Sequence, residues 1–138
     1  MWWIYALLSA FFAALTAIFA KIGVADIPSN LATAIRTIII LIMAWAIVLA
    51  RGEFKAMHNL SRHHMIFLVL SGLATGCSWL FYFKALQVGE VSKVAPVDKL
   101  SVALTIILAA LFLQETITVK TALGAGLIIA GTLVLIIK

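Results

Sequence analysis

The chain has 138 residues, 65% hydrophobic and only 11% charged, with a formal net charge of +5 at neutral pH. A soluble globular domain carries roughly 45–50% apolar and about 25% charged residues, so this composition cannot cover a watery surface, and lipid is the natural solvent for most of it. The excess of bases is read as residues that flank membrane spans and meet anionic headgroups, not as a nucleic-acid footprint.

A helix needs about 20 mainly apolar residues to cross a bilayer. Five segments meet that need: residues 2–20, 31–50, 65–83, 94–113 and 121–137. The expected fold class is therefore all-α: an integral membrane protein, one domain over residues 1–138, built as a bundle of five transmembrane helices.

The first run lacks both a basic n-region and an A-x-A cleavage site, so it reads as a retained span. Trp2, Trp3 and Tyr5 would form an aromatic belt at one interface. Residues 22–28 link it to the second span, with Ser29 or Asn30 as the expected helix cap. Arg36 alone interrupts that span.

Residues 51–64 form the longest polar loop, where Phe54 and Met57 could rest on the membrane surface. Its histidines, His58, His63 and His64, have no carboxylate or thiolate at ligand spacing, so no metal is expected. The third span carries the single cysteine, Cys77, which excludes an internal disulfide and reads as a small packing residue.

Residues 82–98 join the third and fourth spans and concentrate charge: Lys84, Glu90, Lys93 and Asp98, followed by Lys99. Pro96 is expected in the first turn of the fourth span, where its missing N–H does little harm. Thr118 is placed to cap the fifth span, and Lys120 and Lys138 to snorkel at its ends.

Five spans put the termini on opposite sides. Arg51, Lys55, Arg62 and Lys120 fall on the amino-terminal side; Lys21, Lys84, Lys93 and Lys138 fall on the other, joined there by Arg36 and Lys99. Four bases against four, or four against six, is a weak bias for the positive-inside rule. Insertion in either direction is compatible with it. A faint internal echo also relates spans one and two to spans three and four, with Arg36 and Asp98 at corresponding positions.

Helical spacing gathers the polar residues into stripes. Ser71, Thr75, Ser78 and Tyr82 share a face of span three; Asp98, Ser101 and Thr105 one of span four; Asn30, Thr33 and Thr37 one of span two. Such stripes either hold helices together by hydrogen bonds or line a hydrated path. Arg36 and Asp98 have three readings: an edge of a site that grips an anion and a cation or proton, a structural ion pair, or simple snorkelling. Ala122, Gly126 and Ala130 give span five a small-xxx-small face for helix packing. No phosphate loop or nucleophile–base spacing occurs, so neither an enzyme nor a cofactor is expected.

Several motifs then fall in a familiar order. Tyr82-x-x-Ala85-Leu86, Val94-Ala95-Pro96-Val97, Leu111-x-Leu113-x-Glu115-x-Ile117-Thr118 and Gly124-x-x-Leu127-Ile128-x-x-Gly131 resemble the second half of an EamA domain of the drug/metabolite transporter superfamily. Phe19-x-Lys21-x-Gly23 and Arg36 resemble its first half. The resemblance implies one five-span half of a usual ten-span, inverted-repeat transporter of small metabolites. It therefore implies a dimer, with an inverted repeat asking for one copy in each orientation. Four-span multidrug relatives carry an acid in the first span; this chain has none there, which argues against that route of proton-coupled export.

The resulting expectation is a small-solute transporter subunit working by alternating access with a second copy or a half-size partner. Its home would be the lipid bilayer of a prokaryotic inner membrane. The path would be lined by Ser9, Thr16, Thr33, Arg36, Ser71, Thr75, Ser78, Tyr82, Asp98 and Ser101. A non-transporting scaffold or accessory subunit and a lipid-carrier flippase stay open as alternatives.

Overall fold

The computed structural model describes residues 1–137, and every regular element among them is helical. In order they are α1 (Trp2–Gly23), α2 (Ser29–Ala50), a 3-10 helix (Glu53–Asn59), α3 (Arg62–Val88), α4 (Val91–Asp98), α5 (Leu100–Phe112) and α6 (Val119–Ile136). Five helical stretches are long and apolar enough to cross a membrane: α1, α2, α3, α4 continued by α5 (Val91–Phe112), and α6. In hydrocarbon each backbone N–H and C=O must be satisfied inside its own segment, which a helix does. Large apolar side chains such as Phe11, Ile38, Phe67 and Leu111 are exposed along these helices, as lipid-facing residues are. The protein is thus an all-α, multi-pass integral membrane protein.

The helices run further than hydropathy alone indicates. At 27 residues, α3 is roughly 40 Å long, more than the ~30 Å of hydrocarbon. It takes in Arg62, His63 and His64 at its start, because the Ser61 hydroxyl accepts the His64 N–H at 3.3 Å. The expected loop over residues 51–64 is correspondingly shorter. Gly52, in the left-handed region at φ 67°, ends α2. The 3-10 turn that follows folds Phe54 back to within 6.1 Å of Trp45, and Arg51 pairs with Glu53 at 2.8 Å.

Three local expectations need correction. The cap position of α2 is Pro28, in extended conformation and with no side-chain cap, so neither Ser29 nor Asn30 serves there. Pro96 lies inside α4, because that helix begins at Val91, three residues earlier than hydropathy places it. Cys77 is exposed, so it is not a packing residue of its helix. Thr118 does cap α6, accepting the Thr121 N–H at 3.2 Å. Lys138, expected to snorkel, lies outside the described residues.

The chain divides into two compact units, Met1–Gln87 and Val88–Lys138. In the first, the buried residues are Ala17, Ala20, Val24, Ser29, Thr33, Phe83 and Leu86. They come from the last turns of α1, the first of α2 and the last of α3, so these helices share a core at one end only. In the second unit, Ala103 of α5 and Thr132 of α6 are buried. The Thr132 hydroxyl donates to the carbonyls of Ile128 at 2.8 Å and Pro96 at 3.3 Å. The Pro96 carbonyl also receives the Lys99 N–H at 3.0 Å, and the helix breaks at Lys99, between α4 and α5. A side chain inserted into the helical ladder beside a proline is a physical cause of such a break.

Candidate functional site

Lipid offers no hydrophobic drive for helix association, so close packing and hydrogen bonds must hold these helices. At the shared end of the first unit, two long side chains do this. Lys21 donates from Nζ to the Leu86 carbonyl at 2.6 Å. Gln87 donates from Nε2 to the Ile27 carbonyl at 3.0 Å and the Val24 carbonyl at 3.4 Å, while its Oε1 accepts from Lys84 at 3.2 Å. The carbonyls of Val24 and Ile27 belong to the chain leaving α1, where helical partners have run out. Directly inside this latch, Val24 and Leu86 are fully buried and Phe83 nearly so.

Arg36 stands just above that plug, seven residues into α2 and so about 10 Å from its start. Its guanidinium carbon lies 4.2 Å from the centre of the Trp79 ring and 5.0 Å from that of Phe83. The two rings are four residues apart on α3, one turn above the other, and form a platform. A charge at the centre of a span costs about 2.5–3.5 kcal/mol on insertion scales and less toward its ends, and a desolvated cation–π contact returns about 2. Among the described residues, no carboxylate of the first unit pairs with Arg36, and its electrostatic neighbour in that unit is Tyr82.

Arg36 opens onto a groove of about 360 Å³ between α1, α2 and α3. Thr16, Phe19, Ala20 and Gly23 of α1, Ile35, Ile39 and Ile40 of α2, and Phe83 of α3 contribute to its walls. The lining is apolar but for Thr16 and the guanidinium. A second hollow of about 400 Å³ lies outside the latch, bounded by Ser29, Asn30, Phe81, Lys84 and Gln87.

Of the sequence-predicted path residues, the first unit brings Thr16 and Arg36 into one groove and places Thr33 in the plug beneath. Ser9 is exposed, about two turns up α1 from Thr16. Ser71, Thr75 and Ser78 are exposed, and Tyr82 is half-buried. This stripe lies beside the Trp79–Phe83–Leu86 face by which α3 meets its own unit, not on it. The threonine hydroxyls turn inward to their own helices: Thr33 to Ser29, Thr37 to Thr33, Thr75 to Ser71 and Thr105 to Ser101, at 2.8–2.9 Å. They keep lone pairs free to accept. In the second unit, Asp98 is half-buried and paired with Lys99 at 3.3 Å, and Ser101 is exposed. Ala122, Gly126 and Ala130 are also exposed, and a Cβ at Gly126 would meet nothing within 4 Å. Unit two uses the neighbouring face of α6, through Thr121, Ala125 and Thr132.

Sequence reasoning missed Trp79, Phe83 and Gln87. The available signal was a pair of aromatic residues four apart within the aromatic run Trp79–Phe83, with an amide one further turn on. Their relation to Arg36 needed the fold.

Five apolar spans and a helical end latched by side chains define a multi-spanning membrane protein, with an intramembrane cation over an open groove. The chain belongs to the EamA-like transporter family, whose profile matches residues 1–137. It is 51% identical over 134 residues to a Sinorhizobium protein described as an uncharacterized transporter in the cobO 3′ region, a match covering 97% of this chain and 95% of the relative. It is also 32% identical over 74 residues to an uncharacterized protein of Methanocaldococcus jannaschii, covering 54% of each. No solved structure matches the chain.

Proposed function

We propose that this protein is a small-solute transporter subunit that works by alternating access as a dimer, with one copy inserted in each orientation. The observation that carries this reading is the uncovered stripe of Ser71, Thr75 and Ser78 on α3. Hydroxyls on an exposed face of a spanning helix suit a polar surface or water opposite them, and Thr75, which donates to Ser71 of its own helix, can still accept. A second copy facing that stripe would enclose a hydrated path with Thr16, Arg36, Tyr82, Asp98 and Ser101. The near-even distribution of lysine and arginine supports insertion both ways, and the exposed Ala122–Gly126–Ala130 face offers a close helix contact for assembly. A prokaryotic inner membrane fits the bacterial relative.

The test is flux in vesicles reconstituted with the purified protein against a panel of small metabolites. Alanine at Thr75, Tyr82 or Asp98 should lower flux with normal protein levels; normal flux in all three removes them from the path. Cysteines placed in residues 51–60 of a Cys77→Ser background should be labelled from both membrane faces. Labelling from one face only rules out dual insertion, and flux by an isolated monomer rules out the dimer.

A further inference from the structure

We infer that Arg36, Trp79 and Phe83 form a binding site for an organic carboxylate with an apolar body, which names the substrate class for the transport reading above and rests on it. Three observations converge. The guanidinium lies over the rings of Trp79 and Phe83, at 4.2 and 5.0 Å. A cation held at a ring face keeps its in-plane N–H groups, and a planar fork of donors matches a carboxylate with two parallel hydrogen bonds. Secondly, neither carboxylate of its own unit pairs with it. The two acids of that unit are placed elsewhere: Asp26 is exposed in the link between α1 and α2, and Glu53 is paired with Arg51 beyond the other end of α2. Thirdly, the groove beside Arg36, about 360 Å³, is walled by Phe19, Ile35, Ile39 and Phe83. That volume falls within the usual range of small-molecule sites.

The chemistry of the walls selects the ligand. One fixed positive charge with no acid nearby accepts a single anionic group and offers nothing to an ammonium. Aromatic and branched aliphatic walls accept an apolar body and leave a sugar or polyol only the Thr16 hydroxyl and the guanidinium to bond with. The plug of Val24, Leu86 and Phe83 beneath the site closes it toward the latched end, so the anion would enter from the opposite direction or from the side.

The test uses the full chain in nanodiscs of phosphatidylcholine, with radiolabelled phenylacetate as the probe and phenylacetamide and phenethylamine as uncharged and cationic counterparts. Saturable binding of phenylacetate alone is expected. Arg36→Gln should weaken it about tenfold or more, and Trp79→Leu about threefold. Arg36→Lys, which keeps the charge but loses the planar fork, should fall between wild type and Arg36→Gln and controls for folding. No saturable binding by wild type, equal binding of the amide, or unchanged affinity in both Arg36 variants would overturn the inference. So would displacement of phenylacetate in discs containing phosphatidylglycerol, which would assign the cation to a lipid headgroup. Flux of other solutes that persists without phenylacetate binding would sink this substrate class while leaving the transport reading in place.

Discussion

The two units fasten their helices by opposite means. In Met1–Gln87, long side chains reach across to main-chain carbonyls near helix ends: Lys21 to Leu86, and Gln87 to Val24 and Ile27. In the second unit, the short Thr132 side chain bonds to Pro96 within a spanning helix, and that helix breaks three residues later. Carbonyls past the end of a helix are spare, so a distant donor satisfies them without loss to the ladder. A carbonyl inside a helix is already committed, so a hydroxyl reaching it from another helix competes with the ladder instead. The first arrangement leaves the helical ladders it joins intact; the second coincides with the interruption at Lys99.

Substitutions can break or sharpen this contrast. The largest effect is expected from Leu86→Ala, which opens a hole in the plug of the first unit. Its cost should be about 2 kcal/mol, at the low end of Leu→Ala values because lipid supplies no water-transfer term. Reversible unfolding of the detergent-purified protein would measure it. Gln87→Leu removes the donor to two carbonyls and should cost about 1 kcal/mol by the same measurement. In a transporting dimer it should also raise access of water-soluble thiol reagents to a cysteine placed at Ala20. Thr132→Val should cost about 0.6 kcal/mol, a typical interhelical hydrogen bond in lipid. A loss equal to that of Leu86→Ala would mean that both units depend alike on a single contact. The smallest effect is expected from Thr75→Val, whose hydroxyl bonds only within its own helix: less than about 0.5 kcal/mol of stability, with a measurable loss of flux. The reverse, lost stability with intact flux, would return the α3 stripe to a purely structural role.

Composition, the spacing of apolar runs and the Thr118 signal were enough to locate five spans, because a span answers to lipid, which treats every helix alike. Boundaries were less legible. Arg62–His64 joins α3 through the Ser61 hydroxyl, and Pro96 sits inside α4 because Val91–Lys93 extend that helix toward its start, features that hydropathy does not weigh. The polar stripes were visible as periodicities, but whether their hydroxyls faced a path or their own backbone was not, since one sequence spacing permits both.

What the chain order alone determined is therefore the class: a greasy, multi-pass helical protein with Arg36 and Asp98 as conspicuous charges. Only the tertiary structure set Arg36 against Trp79 and Phe83, about 43 and 47 residues away in sequence, and brought Gln87 to the end of α1. Those relations depend on how three separate helices are rotated about their own axes. Side-chain packing at their shared end fixes that rotation, and no local pattern of residues encodes it.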